Sequence, residues 1–286
     1  MNRKPVVAVV GAGSLASFLV PALATAGYCI TEIITRTRPQ SRTRASGLAG
    51  KVGARVATMD NAALNGDLLW FCVPDGEIRK TAAALAKRGS SKIRFAFHSS
   101  GALLSKELDD LRRTGVAVAS VHPLMTFVSG PHPSLEGVPF ALEGDAAATN
   151  LARRIVRDLR GESFRLPSRR KAAYHAWATM TSPLLVAYLV TLEEAAREAG
   201  LGPKDGRRMS LPIIRQTLEN YRSRGPEHSF SGPFMRGDVA TVAKHLALLK
   251  KHPRTRAVYV ALAHAALARL PVKNRRRLTR MLTLST

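Results

Sequence analysis

The residues best able to do chemistry in this 286-residue chain fall into a few short stretches. Gly11-Ala12-Gly13-Ser14-Leu15-Ala16 reads as G-x-G-x-x-A, after the apolar run Val6 to Val10 and before a helical pattern. In that context the pattern is a dinucleotide fingerprint. Gly11 permits a tight turn, Gly13 lets backbone approach a pyrophosphate, and Ala16 lets helix and strand pack closely. The helix N-terminus, with Ser14 and Leu15, then faces the phosphates with free N–H groups. An NAD site usually has an acid about 20 residues further on. Here Thr35-Arg36-Thr37-Arg38 stands in that place, and two guanidiniums with two hydroxyls suit a 2′-phosphate. The expected cofactor is therefore NADP (NADPH). Phe71-Cys72-Val73-Pro74-Asp75 ends a later strand. Ligands of doubly wound sheets lie beyond the carboxyl ends of strands, so Val73, Pro74 and Asp75 are expected to line the cofactor. Cys72 itself reads as a small buried hydrophobe, because no basic neighbour lowers its pKa.

Two more strands deliver His98-Ser99-Ser100-Gly101 and His122-Pro123 to the same edge. Histidines and serines gathered there are expected to touch substrate or nicotinamide, with a purely structural histidine as the plain alternative. In the second half, Lys171 and His175 are four residues apart and share a helix face, and Ser182 points about 20° from the Lys171 direction. An amine, an imidazole and a hydroxyl on one stripe offer a proton donor for a carbonyl or imine receiving hydride. A basic solvent face continuing Arg169 and Arg170 is the other reading. Arg236 lies in Gly232-Pro233-Phe234-Met235-Arg236-Gly237-Asp238, where it either binds a carboxylate or phosphate or decorates an ordinary loop that Asp238 closes by capping the next helix. No metal is expected: ligand spacing is missing, and His122 with His132 is the nearest approach to a pair.

These groups need a scaffold that brings strand ends to one edge. The first 120 or so residues alternate short β-branched runs with helical patterns, as βαβ units of a parallel sheet do. Strands are predicted at 6–10, 29–35, 55–58, 67–73, 93–97 and 116–121, with an edge strand at 140–143 and a basic loop holding Arg36, Arg38, Arg42 and Arg44. From about Asp145 the periodicity is helical, with helices expected at 146–160, 169–200, 204–224, 238–251 and 254–270. The expected architecture is α/β: an N-terminal Rossmann doubly wound sheet over 1–145, then an all-helical domain over 146–286.

Composition agrees with two folded domains, since 45% of residues are hydrophobic and the length supports a sizeable core. Two cysteines build no disulfide framework, which fits a reducing cytoplasm. Gly11 and Gly13 interrupt the N-terminal apolar run where a signal peptide needs a continuous helix, and no run is long enough for a membrane span. The net charge is +24, and the last 36 residues hold nine basic groups and no acid. Such a field attracts small anions, acidic membrane or nucleic acid, or is only a solvated basic surface. Nucleic acid is the weaker reading, because Lys273, Arg275, Arg276, Arg277 and Arg280 lack interleaved aromatics.

GAGSLA, FCVPD, HSSG, SVHPL, the K-x-x-x-H of Lys171 and His175, and SGPFMRGD occur in that order over nearly the whole chain. Together they resemble Rossmann-like NADP-binding proteins with a C-terminal domain of unknown function 2520. These are relatives of pyrroline-5-carboxylate reductase, ketopantoate reductase and the 6-phosphogluconate dehydrogenase superfamily. The resemblance implies an NADP-binding sheet domain, a dimerising helical domain like the C-terminal one of 6-phosphogluconate dehydrogenase, and a cleft between them. It also implies Lys171 as the catalytic lysine, with His175 where relatives more often have asparagine. Ser182 is followed by Pro183 where the family pattern has asparagine, and proline has neither a side-chain amide nor a backbone donor. The expectation is a cytoplasmic, homodimeric NADPH-dependent oxidoreductase that transfers hydride to a small anionic carbonyl or imine. Lys171 or His175 would protonate the product, with Ser100 in the same centre. His98, Ser99, Gly101, His122, Pro123 and Ser182 would line the substrate, and Arg236 would hold its anionic group. The alternative is a non-catalytic NADP-binding sensor or regulatory protein, a reading that Pro183 favours.

Overall fold

The run Val7–Val10 (β1) is buried along its whole length, as a strand covered on both faces must be. The structure, a computed structural model, describes residues 3–89, 92–128 and 134–283. After β1 come α1 (Ser14–Thr25), β2 (Ile30–Thr35), α2 (Pro39–Gly50), β3 (Arg55–Thr58), β4 (Leu68–Phe71), α3 (Asp75–Arg88) and β5 (Phe95–His98). A 3₁₀ turn over Ser105–Leu108 leads into α4 (Asp109–Arg112), followed by β6 (Ala117–Pro123), β7 (Pro139–Gly144), α5 (Ala146–Asp158) and β8 (Glu162–Arg165). The eight strands form one sheet in the order β3-β2-β1-β4-β5-β6-β7-β8. The first six are parallel in the doubly wound order, β7 runs antiparallel to β6, and β8 is parallel to β7.

Strand alternation divides the core in two. Val7 and Val9 pack with Leu19 and Leu23 of α1, Leu48 of α2 and Ile155 of α5, whereas Ala8 and Val10 pack with Ile78 and Leu85 of α3 and Leu111 of α4. This arrangement turns the carboxyl ends of β1, β2, β4, β5 and β6 to one edge.

Several local expectations are corrected. Arg42 and Arg44, placed in a loop by sequence, lie on α2, which starts with Pro39 and buries only Ala45, Leu48 and Ala49. That apolar stripe is too small to stand out among arginines. The strand at 140–143 is not an edge, because β8 pairs with it from Pro139↔Glu162 to Leu142↔Arg165. The sequence of β8, Glu-Ser-Phe-Arg, carries no apolar run to betray it. The chain divides into compact units 1–179 and 180–286. The sheet unit runs past residue 145 because α5 lays Leu151, Ile155 and Val156 on the sheet.

The helix expected over 169–200 is two helices, α6 (Lys171–Thr181), which closes the first unit, and α7 (Pro183–Glu198). Proline disfavours helical backbone in the residue before it, and Ser182 indeed leaves the helix while Pro183 opens the next one. The second unit continues with α8 (Pro203–Ser229), kinked at Gly225, then α9 (Pro233–Arg236), α10 (Val239–Leu249), α11 (Pro253–Arg269) and α12 (Arg275–Thr283). Sequence reading missed α12, since Leu278 and Leu282 are its only buried residues amid basic ones. The core of this unit joins Val242, Leu246, Val260, Leu267, Leu278 and Leu282 from α10 to α12. In contrast, α7 buries no residue and α8 only Gly206, so Leu184, Val186, Val190, Ile213 and Leu218 are exposed. Among the described residues no helix is long and apolar enough to cross a membrane.

Candidate functional site

The turn after β1 is shaped by the neighbouring strand. Gly11 has φ +104°, and a Cβ there would lie 2.4 Å from the Cys72 carbonyl oxygen, so only glycine fits. Gly13 is extended and precedes α1, and no side chain caps the helix, leaving its first N–H groups to face outward. Ala16 is fully buried under α1 and Leu15 packs on the same core, while Ser14 is exposed beside the turn. A cavity of about 210 Å³ opens over this turn, lined among others by Gly11, Gly13, Thr35, Arg36, Val73 and Pro74. Two more of its lining residues, Ser41 and Arg44, come from α2. Arg44 also borders an adjoining cavity of about 450 Å³ with Ser14, Thr43 and Lys51. Thr37 and Arg38 line neither, because Arg38 is taken up as the N-cap position of α2. Arg36 and Arg44 make no ion pair among the described residues. Open N–H groups, a cradle that excludes a Cβ and two unpaired guanidiniums fit the pyrophosphate and 2′-phosphate of NADP. Cys72 is buried with its thiol pushed up to about 12 by desolvation, which makes it wall rather than nucleophile.

Beyond β4 and β5 the side chains at the strand ends are used in two different ways. His98 is fully buried; its Nε2 lies 3.0 Å from the Leu104 carbonyl and its Nδ1 accepts from the Ser100 N–H at 3.2 Å. Ser100 Oγ donates to Asp75 at 2.7 Å and accepts from the N–H groups of Ala102 and Leu103. Ser99 Oγ accepts from Trp70 Nε1 at 2.9 Å. The side chains of His98, Ser99 and Ser100 are thus committed to folding the 99–104 loop over the sheet edge, and Asp75 belongs to the same network.

A second cluster of titratable side chains forms where α6 meets β6. Ser120 and His122 share one face of β6, two residues apart, and Lys171 and Tyr174 share one face of α6, three apart. Lys171 Nζ donates to Ser120 Oγ at 2.6 Å, and Tyr174 and His122 Nδ1 are 2.7 Å apart. Ser120 Oγ in turn donates to the Ser100 carbonyl. Across β7 the neighbour of Ser120 is Glu143, whose buried carboxylate accepts from the Ser105 N–H, Ser105 Oγ and Ser168 Oγ. Ala141, opposite His122, is small and packs with Tyr174. Gly101 closes the group: a Cβ there would sit 2.8 Å from both His122 Nε2 and His175 Cδ2. Tyr174, Ser120 and Glu143 escaped sequence reading, although two-residue alternation in Ser120-Val121-His122 was the available signal. Pro123 ends β6. Ser182 and Arg236 belong to the other unit, where Arg236 is exposed in α9 and Asp238 caps α10 through the Thr241 N–H at 3.0 Å. Among the described residues no three acid, histidine or cysteine side chains gather for a metal, and His132 lies outside those residues.

Residues 138–266 match the model of the domain of unknown function 2520. The matched stretch covers a little under half of the chain. It starts one residue before β7 and runs across both compact units, taking in Glu143, Lys171, Tyr174 and His175 of the cluster. No curated protein matches the sequence. Solved structures do. A Bacteroides fragilis protein described as a candidate NADP oxidoreductase is 20% identical over 93% of this chain and 99% of that one, with TM-score 0.75. A Thermotoga maritima protein is 24% identical over 91% and 96%, with TM-score 0.72. A Plasmodium falciparum pyrroline carboxylate reductase with NADP bound is 13% identical over 99% of each chain, with TM-score 0.61. At these identities the likeness establishes the fold, a Rossmann sheet followed by helices.

Burial sets the protonation of the cluster. Desolvation lowers Lys171 to about 8, opposed by the charges of Glu143 and Asp75. It also lowers His98 to about 4 and His122 to about 4, and the Lys171 charge adds to the effect at both rings. Each imidazole stays neutral in the fold but takes a proton in the unfolded chain below 6.5, so stability is lost as pH falls from 6.5 toward 4. For Lys171 the unfolded chain holds the extra proton between 8 and 10.5, so stability rises with pH across that window. Each group accounts for about 3 kcal/mol. Unfolding free energy measured against pH should therefore climb over both windows; His122→Gln should flatten the acid limb and Lys171→Met the alkaline one.

Proposed function

We propose that this chain is an NADP(H)-dependent oxidoreductase that reduces a small, anionic carbonyl or imine compound. The observation that carries the reading is the placement, at one sheet edge of one unit, of an open phosphate cradle with unpaired Arg36 and Arg44 and of a cluster built on Lys171, His122 and His175. The NADP oxidoreductase and reductase descriptions of structures sharing this fold support it. When bound, the dinucleotide supplies the hydride. Gly11, Gly13, Ser14 and Leu15 hold the pyrophosphate, while Arg36 and Arg44 take the 2′-phosphate with Ser41 beside them. Val73 and Pro74 wall the cavity toward the reaction centre. Lys171 holds a proton at Nζ with a pKa near working pH, the condition for an efficient general acid. His175, exposed on the same helix, is the second group able to deliver one. Asp75, His98 and Ser100 are positioning residues that act by fixing the loop carrying Gly101.

A second copy of this chain is the partner that fits the exposed apolar faces of α7 and α8. Monomers rarely leave contiguous apolar surface of this kind uncovered.

Titration followed by nicotinamide fluorescence should show tighter binding of NADPH than of NADH. Arg36→Ala and Arg44→Ala should each weaken NADPH by about 10- to 100-fold, the worth of a charge-assisted bond, while sparing NADH. Equal affinity for both nucleotides counts against the 2′-phosphate site, and binding of neither removes the oxidoreductase reading. Light scattering should give twice the chain mass, falling to the single-chain mass in a Val190→Asp/Ile213→Asp double variant.

A further inference from the structure

Gly101 lies against the ring edges of His122 and His175 with no side chain of its own between them. Tyr174 is 7% exposed, and His122 Nδ1 is its hydroxyl's one hydrogen-bond partner among the described residues. A phenol O–H donates better than it accepts, and leaving its proton unpaired in a buried place costs more than leaving a lone pair. The hydroxyl therefore donates to Nδ1, which places the ring proton of the neutral imidazole on Nε2. The rings stand edge to face, 5.5 Å apart at 84°, so Tyr174 also fixes the plane in which that N–H points. Among the described residues His122 Nε2 has no hydrogen-bond partner, and it lies 2.8 Å from the position a Gly101 Cβ would take, as does the His175 ring edge. The ammonium of Lys171 lies behind on Ser120. Of the carboxylates in the same network, Glu143 has both oxygens engaged by Ser105 and Ser168, and Asp75 has Oδ2 engaged by Ser100.

We infer that this is an acceptor-binding site: His122 Nε2–H, oriented by Tyr174, donates to a carbonyl or carboxylate oxygen seated over Gly101, and the site disfavours a protonated iminium. The inference rests on the oxidoreductase reading and narrows its substrate. A cationic C=N–H group would bring its own donor against the His122 donor and its charge toward Lys171. A ketone or 2-oxo acid offers lone pairs to the same N–H. Tyr174 acts through His122 and is a positioning residue; His122 is the group that meets the ligand.

The test uses the full chain, ¹⁵N-labelled at histidine and glycine, at pH 7.5 and without nucleotide. The His122 ring should show the Nε2–H tautomer, and Tyr174→Phe should shift a measurable share to Nδ1–H. Oxamate, a stable 2-oxo acid mimic, should move the His122 Nε2 and Gly101 amide signals, whereas protonated pyrrolidine should move neither. Gly101→Ala should abolish the oxamate response while keeping the tautomer. An Nδ1–H ring in the unaltered chain, a tautomer indifferent to Tyr174→Phe, silence toward oxamate, or an equal response to pyrrolidine would each overturn the inference. None of these readouts needs NADPH, so a chain that binds no nucleotide would refute the oxidoreductase reading separately.

Discussion

A lysine 2% exposed, held by one serine hydroxyl, is the constraint around which the sheet unit is arranged. An ammonium taken out of water costs several kcal/mol unless its surroundings return it. Here the return comes from Ser120 at 2.6 Å and from the charges of Glu143 and Asp75. Each of those groups is fixed in turn. Glu143 is pinned by Ser105 and Ser168, Asp75 by Ser100, and Ser120 by the Ser100 carbonyl. Lys171 thereby draws together the start of α3, the loop after β5, the middle of β6, β7 and the first turn of α6.

That dependence explains why the two histidines delivered by adjacent strands differ in use. His98 lies beneath the loop and spends both nitrogens on it. His122, two residues beyond Ser120 on the same face, is reached by Tyr174, one helical turn beyond Lys171. The strand period and the helix period thus place a buried amine and a half-buried imidazole side by side. Gly101 leaves the imidazole uncovered, because any side chain there would strike it.

The parts legible in sequence were those with a strong local signal. The glycine turn and the six parallel strands follow from backbone requirement and from β-branched runs, and the fold they imply is the one the chain has. Lys171 and His175 were visible through their four-residue spacing. Signals failed where the structure depends on neighbours remote in sequence. Arg44 became a pocket residue only because α2 forms on the three apolar side chains of Ala45, Leu48 and Ala49. The Pro183 break in the long helix is written in the residue itself, since Ser182 before it leaves the helix. His98 and Ser100 looked like reactive groups, yet their partners, Leu104, Asp75 and the backbone of 102–103, show a loop being built. A histidine after a strand does not declare which of these it is until its second nitrogen is accounted for.

The central claim is that one sheet edge serves both a dinucleotide and the cluster at Gly101, so that the nicotinamide ring ends beside His122. Nuclear Overhauser contacts between the nicotinamide protons of bound NADPH and the ring protons of His122 measure this directly. The account predicts cross-peaks from the nicotinamide ring to His122 and to the Gly101 α-protons. Bound NADPH whose nicotinamide protons show contacts elsewhere, and none to these two residues, would contradict it.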